Sequence, residues 1–198
     1  MTGSPRVLVV EDEAEVARLY AEWLADDYDV ETVSDGRAAL TAVSDAVDVV
    51  LLDRRMPRLG GDETLERIRS RGYNVRVAMV TAVDPELDVV GLPFDTYLTK
   101  PVSQASLRTA VETLVELATY NEAVREAFAL AEKRAVLTAA NPKTELVDDD
   151  RFRQLESSLS EAQAAAVDSL GEMDHETATT ALSGLSAAVE ARHSTSSR

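Results

Sequence analysis

Five side chains in this sequence could do chemistry together. Glu11-Asp12 closes the run VLVV, Asp53 closes VVLL, Thr81 closes VAMV, and Lys100 follows YLT. A charge set at the end of an apolar run must be given partners or work, because burying it unpaired is costly. Three carboxylates drawn to one place would repel one another. A hard divalent cation with a preference for oxygen, Mg²⁺ first among them, resolves that repulsion. Lys100 adds a point charge that can hold a further anion, and Thr81 adds a hydroxyl. Acids around a cation, with a hydroxyl and an ammonium beside them, suit a phosphoryl group.

The elements that must position these residues follow from the hydrophobic pattern. Arg6–Val10 reads as a buried strand, and Val16, Leu19, Tyr20, Trp23 and Leu24 then recur at helical spacing. Tyr28–Val33 is a weaker second strand, Asp35-Gly36 a turn, and Ala39, Leu40 and Val43 mark a second helix. Val47–Leu52 is a third strand, and Thr64–Arg71 a short helix closed by Gly72. Val75–Val80 is a fourth strand and Thr96–Leu98 the core of a fifth. Strands separated by helices imply right-handed crossovers, hence an α/β fold with a five-stranded, doubly wound parallel sheet. Such sheets bind ligands at the carboxyl ends of their strands, which is where all five side chains fall.

These residues also resemble a known family. The run VLVVEDE, the block DRRMPRLGG, the pair Thr81-Ala82 and the segment YLTKP at 97–101 look like the receiver domain of two-component response regulators, whose sheet is flavodoxin-like. The resemblance covers residues 5–118 and implies a role for each position. Asp53 would be the phosphoacceptor, Asp12 a direct Mg²⁺ ligand, Glu11 a ligand through water, and the carbonyl of Arg55 would complete the protein ligands. Thr81 and Lys100 would contact the phosphoryl oxygens, a cis peptide would join Lys100 to Pro101, and Tyr97 would fill the aromatic switch position beside Thr81. In the family, Arg55 and Val83 would line the path of the hydrolytic water. Neither side chain readily positions that water, so a long-lived phosphoryl group is expected. The resemblance further implies a histidine kinase as partner, and a protein that is not a classical enzyme but takes part in its own phosphorylation and dephosphorylation. The interval from Thr81 to Lys100 is short for a receiver and holds Pro85, Gly91 and Pro93. The fourth helix is therefore expected to be one or two turns, the usual dimerisation face to be altered, and homodimer formation stays open.

Composition bounds the rest. The 198 residues carry 36 acids against 20 bases, a formal charge of −16, with 17 Arg but only 3 Lys and no cysteine. The absence of cysteine excludes disulfides, thiolate metal sites and a Cys nucleophile. The acid is spread over both halves: residues 1–117 hold 22 acids and 12 bases, residues 118–198 hold 14 and 8. Such a charge either repels nucleic acid or reflects concentrated intracellular salt, where the short Debye length mutes surface repulsion. Abundant Ala, scarce Lys and many acids resemble proteins of salt-accumulating halophiles. The N-terminal apolar run is too short for a signal peptide or a membrane span, so a soluble cytoplasmic protein without a membrane partner is expected.

Beyond Ser103 no strand pattern recurs. Leu107, Val111, Leu114, Leu117, Tyr120, Val124, Phe128, Ala131 and Ala135 suggest one helix that runs on until Asn141-Pro142 stops it. Phe152, Leu155, Leu159, Ala162, Ala166 and Leu170 predict a second helix ending at Gly171. A third would be capped by Asp174 and buried through Ala178, Ala181, Leu182, Leu185 and Val189. An all-α hairpin or small bundle over 119–190 follows, then a frayed tail over 191–198. The order Tyr120, Phe128-Ala129-Leu130-Ala131, Lys133, Phe152 and Leu155 resembles the HalX domain found after receivers in halophilic archaea. No helix-turn-helix or basic recognition helix is legible. The reading is a module for a downstream protein partner, with DNA binding and transcriptional regulation as the alternative. His175 and His193 have no partners in the sequence that would suggest catalysis.

Overall fold

The computed structural model describes residues 4–82, 85–118, 122–141, 146 and 149–169. The chain divides into two compact units, Met1–Val83 with Leu92–Ala118, and Asp84–Gly91 with Thr119–Arg198. The first unit is the α/β fold. Its elements are β1 (Arg6–Val10), α1 (Ala14–Leu24), β2 (Asp29–Val33), α2 (Gly36–Ala42), β3 (Val49–Leu52), α3 (Gly61–Ser70), β4 (Arg76–Thr81), β5 (Thr96–Thr99) and α4 (Gln104–Leu117). The five strands form one parallel sheet in the order β2-β1-β3-β4-β5.

The central strands β3 and β4 are buried along their whole length, as near-continuous apolar runs require when helices cover both faces. Edge strand β2 (DVETV) is mostly exposed, which explains its weak pattern. Pairing of Leu52 with Val10 and Met79 fixes the register, so the chain emerges from β1, β3 and β4 at the same edge.

Three local expectations are corrected. Asp35 does not begin a free turn: its Oδ1 accepts the N–H groups of Arg37 and Ala38, both at 2.9 Å, and caps α2. Gly36 is the first residue of that helix, and a Cβ there would lie 2.1 Å from Thr64 Oγ1. In α1 the core is made by Ala17, Tyr20 and Leu24, while Leu19 is 41% exposed. The continuous helix expected beyond Ser103 is two elements, because α4 closes at Ala118, whose N–H bonds the carbonyl of Leu114. A stripe at threes and fours passes unbroken through Thr119-Tyr120-Asn121, three residues of low helix propensity that lie outside the described residues.

The second unit contains a 3₁₀ turn at Leu87–Gly91, α5 (Glu122–Ala140) and α6 (Asp150–Ser169). Val124, Ala127, Phe128, Ala131 and Ala135 of α5, and Phe152, Leu155, Leu159, Ala162 and Ala166 of α6, supply its apolar core. Asp149 caps α6 by accepting the N–H of Arg151 at 2.8 Å. The 3₁₀ turn is the short fourth helix expected from the Thr81–Lys100 interval. Within this unit Lys133 Nζ donates to the Val90 carbonyl at 3.1 Å, and Asn141 Nδ2 to the Pro85 carbonyl at 3.2 Å. The readings on Val83, Tyr120, Leu170, Gly171, Asp174, His175, His193, the third helix and the tail lie outside the described residues.

Candidate functional site

Each strand delivers its residue by continuing its ladder one step past the last paired position. The Glu11 N–H donates to the Val33 carbonyl at 3.0 Å, the Asp53 N–H to the Val10 carbonyl at 2.9 Å, and the Lys100 N–H to the Thr81 carbonyl at 2.8 Å. These backbone bonds fix where the main chain of each residue leaves the sheet. One carboxylate oxygen from each of Glu11, Asp12 and Asp53 lies within 4.8 Å of the other two. Glu11 and Asp53 are buried, at 3% and 6% exposure, while Asp12 faces solvent.

Lys100 reaches into this cluster. Its Nζ donates to Glu11 Oε2 at 2.6 Å and stands 3.5 Å from Asp53 Oδ2. The closer partner is therefore Glu11, which the sequence did not indicate. Burial pushes the carboxyl groups of Glu11 and Asp53 above their ordinary range, against the opposing pull of Lys100. Burial acts to lower the Lys100 ammonium, but its hydrogen bond to Glu11 and the charges of Glu11 and Asp53 outweigh that and raise it. One ammonium leaves two of the three negative charges uncompensated. Oxygen donors, close spacing and that surplus charge fit a hard divalent cation such as Mg²⁺.

Thr81, the last residue of β4, is fully buried. Tyr97 is also fully buried, with its ring tilted against Phe94 at a centroid distance of 5.7 Å. The peptide between Lys100 and Pro101 is cis. The side chain of Arg55 is exposed, and its N–H faces Asp53 Oδ1 at 3.4 Å. Asp12 does not cap α1, whose N-cap position is Glu13.

Sequence reasoning missed two arrangements. Arg54 is 11% exposed and pairs with Asp62 across the Asp53 loop. Asp95, just before β5, accepts from Arg76 Nη1 at 2.9 Å, Arg69 Nη2 at 2.8 Å and the Val77 N–H at 2.7 Å. An arginine opening an otherwise apolar strand, as Arg76 does in RVAMVT, was the available signal for a buried counter-charge.

The chain belongs to the response regulator receiver domain family, whose model matches residues 7–112, and a HalX domain follows at residues 116–183. Among curated relatives, a Haloferax volcanii protein named "Putative transcriptional regulator" is 44% identical over 159 residues, covering 80% of this chain and 27% of that protein. The alkaline phosphatase synthesis transcriptional regulatory protein PhoP of Bacillus subtilis is 36% identical over 115 residues, covering 56% of this chain and 48% of that protein. The chain thus spans about half or less of the length of these relatives. A CheY-like response regulator receiver domain from Methylobacillus flagellatus matches with a TM-score of 0.52 and 26% identity, covering 57% of this chain and 99% of that structure. Receiver domains generally bind Mg²⁺, in keeping with the acidic cluster. The chain thus carries a receiver domain of the two-component response regulator type. Among the described residues no helix is long and apolar enough to cross a membrane.

Proposed function

We propose that this protein accepts a phosphoryl group on Asp53 from the phosphohistidine of a histidine kinase and thereby switches the output of its helical domain. The observation that carries this reading is the convergence of Glu11, Asp12 and Asp53 with Lys100 at one sheet edge. Mg²⁺, when bound by Glu11, Asp12, Asp53 and the Arg55 carbonyl, supplies positive charge to the transferring oxygens. An Asp53 oxygen attacks phosphorus in line while the P–N bond to the donor histidine breaks, and the imidazole leaves with the electron pair and takes up a proton. Lys100 offsets charge on the phosphoryl oxygens, and the Thr81 hydroxyl donates to one of them. No general base is needed, because the attacking carboxylate is itself the nucleophile. Tyr97, packed beside Phe94, responds to the new position of Thr81, giving a shift between two packings.

The test is phosphorylation by acetyl phosphate with Mg²⁺, read as a mass increase on the intact chain. Wild type should take up one phosphoryl group and Asp53→Asn none. Equal uptake by Asp53→Asn would refute the assignment. For output, an acidic helical domain favours a downstream protein partner. The transcriptional-regulator names of the relatives favour the second reading, DNA binding. Retention of labelled DNA at high salt, with and without phosphorylation, separates the two: retention that rises on phosphorylation supports the second reading.

A further inference from the structure

The loop between β3 and α3 carries Asp53 and Arg55, and one residue between them closes it. Arg54 Nε donates to Asp62 Oδ1 at 3.0 Å and Oδ2 at 3.1 Å, while Nη2 donates to Oδ2 at 3.0 Å. The Arg54 carbonyl also accepts the Gly61 N–H at 2.8 Å. Main chain and side chain of the same residue therefore both grip the first turn of α3. Gly61 permits that approach, since a Cβ there would lie 2.3 Å from the Asp53 carbonyl oxygen and 2.7 Å from Arg54 Cα. A second tie joins Arg58, at φ 71°, to Asp35 at 2.6 Å. The helix dipole favours the negative charge of Asp62 where it sits.

A planar fork on a carboxylate fixes orientation as well as distance, which an ammonium cannot do. Asp62 is 40% exposed, so solvent screens the pair and its weight in global stability is small. Its effect is local. We propose that Arg54, through its fork on Asp62, is a positioning residue that sets the Asp53 carboxylate and the neighbouring Arg55 carbonyl for divalent-cation binding. This rests on the reading of the site as an Mg²⁺-dependent phosphoryl acceptor. It adds a residue pair, eight positions apart, on which cation affinity depends without either side chain being a ligand.

The experiment is titration of the full chain with Mg²⁺, read by fluorescence of Trp23, the chain's one tryptophan, which packs at 5.7 Å against Tyr20. Tyr20 lies within the electrostatic reach of Lys100, Glu11 and Asp53. Arg54→Gln and Asp62→Asn should each weaken Mg²⁺ about ten-fold, as loss of an outer-shell partner does. The double variant should lose no more than either single one, and Arg54→Lys should recover only part. Melting of the metal-free chain should barely move in Asp62→Asn. Unchanged Mg²⁺ affinity in both single variants, additive losses in the double, or losses that track melting temperature would overturn the role of Arg54. Failure of the wild type to bind Mg²⁺ would instead sink the functional reading beneath it, and this inference with it.

Discussion

Replacing Asp95 by alanine tests whether the charges buried between β4 and β5 are held as the geometry indicates. Asp95 is 6% exposed at its side chain and stands between Arg76, 7% exposed, and Arg69, 23% exposed. Burial already pulls the Arg69 guanidinium below its ordinary value, Asp95 pulls it back up, and Arg76 opposes it again. Arg76 Nε has no hydrogen-bond partner, so that guanidinium leans on Asp95 and on Asn74. Removing the carboxylate leaves two like charges facing each other and the Val77 N–H without its acceptor. Breaking a buried pair costs about 3–5 kcal/mol, and the partial exposure of Arg69 places the expected loss near the middle, about 4 kcal/mol. For a unit of this size that corresponds to a fall in melting temperature of roughly 15–30 °C. Urea unfolding at low and at high KCl, each held constant and followed by Trp23 fluorescence, measures it. The loss should change little between low and high KCl, because buried pairs are weakly screened. Replacing Arg69, Asp95 and Arg76 together by apolar residues should recover much of it. A loss below about 1 kcal/mol, the range of a surface pair, would refute the reasoning.

Two further outcomes follow from the site. Burial raises the Glu11 and Asp53 carboxyl groups, so the native state binds more protons than the unfolded chain between their ordinary and raised values. Their contribution is present below the ordinary carboxylate range and is lost as pH rises through the raised values. Without Mg²⁺, Asp53→Asn should therefore melt above wild type at neutral pH, with the gap closing as pH falls; Mg²⁺ should lift wild type selectively, and the opposite order in melting curves would contradict this. At Arg55, substitution by glutamate offers the hydrolytic water an acceptor and should shorten the phosphoryl lifetime about ten-fold, roughly 1.4 kcal/mol of barrier. Timed phosphate release checks it, and complete loss from wild type within seconds would overturn the expectation of a long-lived phosphoryl group.

The residues legible in the sequence are those that end apolar runs. Asp53 and Lys100 announce themselves because a charge closing a buried strand violates a local pattern, and the parallel topology then gathers them at one edge. Arg54 obeys no local rule that could be broken, and Asp95 is signalled only through Arg76, the arginine that opens β4. Arg54 follows Asp53 in a stretch of charges that looks solvated, and its partner lies eight positions on, across a loop whose closure depends on Gly61. Asp95 sits in a Pro- and Phe-flanked turn and finds one arginine 26 positions upstream and the other 19. Helix boundaries failed for a different reason. A stripe at threes and fours carries across Leu117 without interruption, and periodicity cannot register where a helix ends when the next one continues its phase.

The stretch Asp84–Gly91, which belongs with α5 and α6 although it connects β4 to β5, has a consequence for inheritance and for dissection alike. The receiver family model runs through this stretch, yet two of its carbonyls are met by Lys133 of α5 and by Asn141 just after it. A fragment cut after Ala118 would keep Pro85 and Val90 but lose Asn141 and Lys133, whose side chains satisfy their carbonyls. Grafting residues 119–198 onto a foreign receiver would strand the same two donors. An exchange between proteins is expected to keep these two hydrogen bonds only when the internal stretch travels with the C-terminal helices.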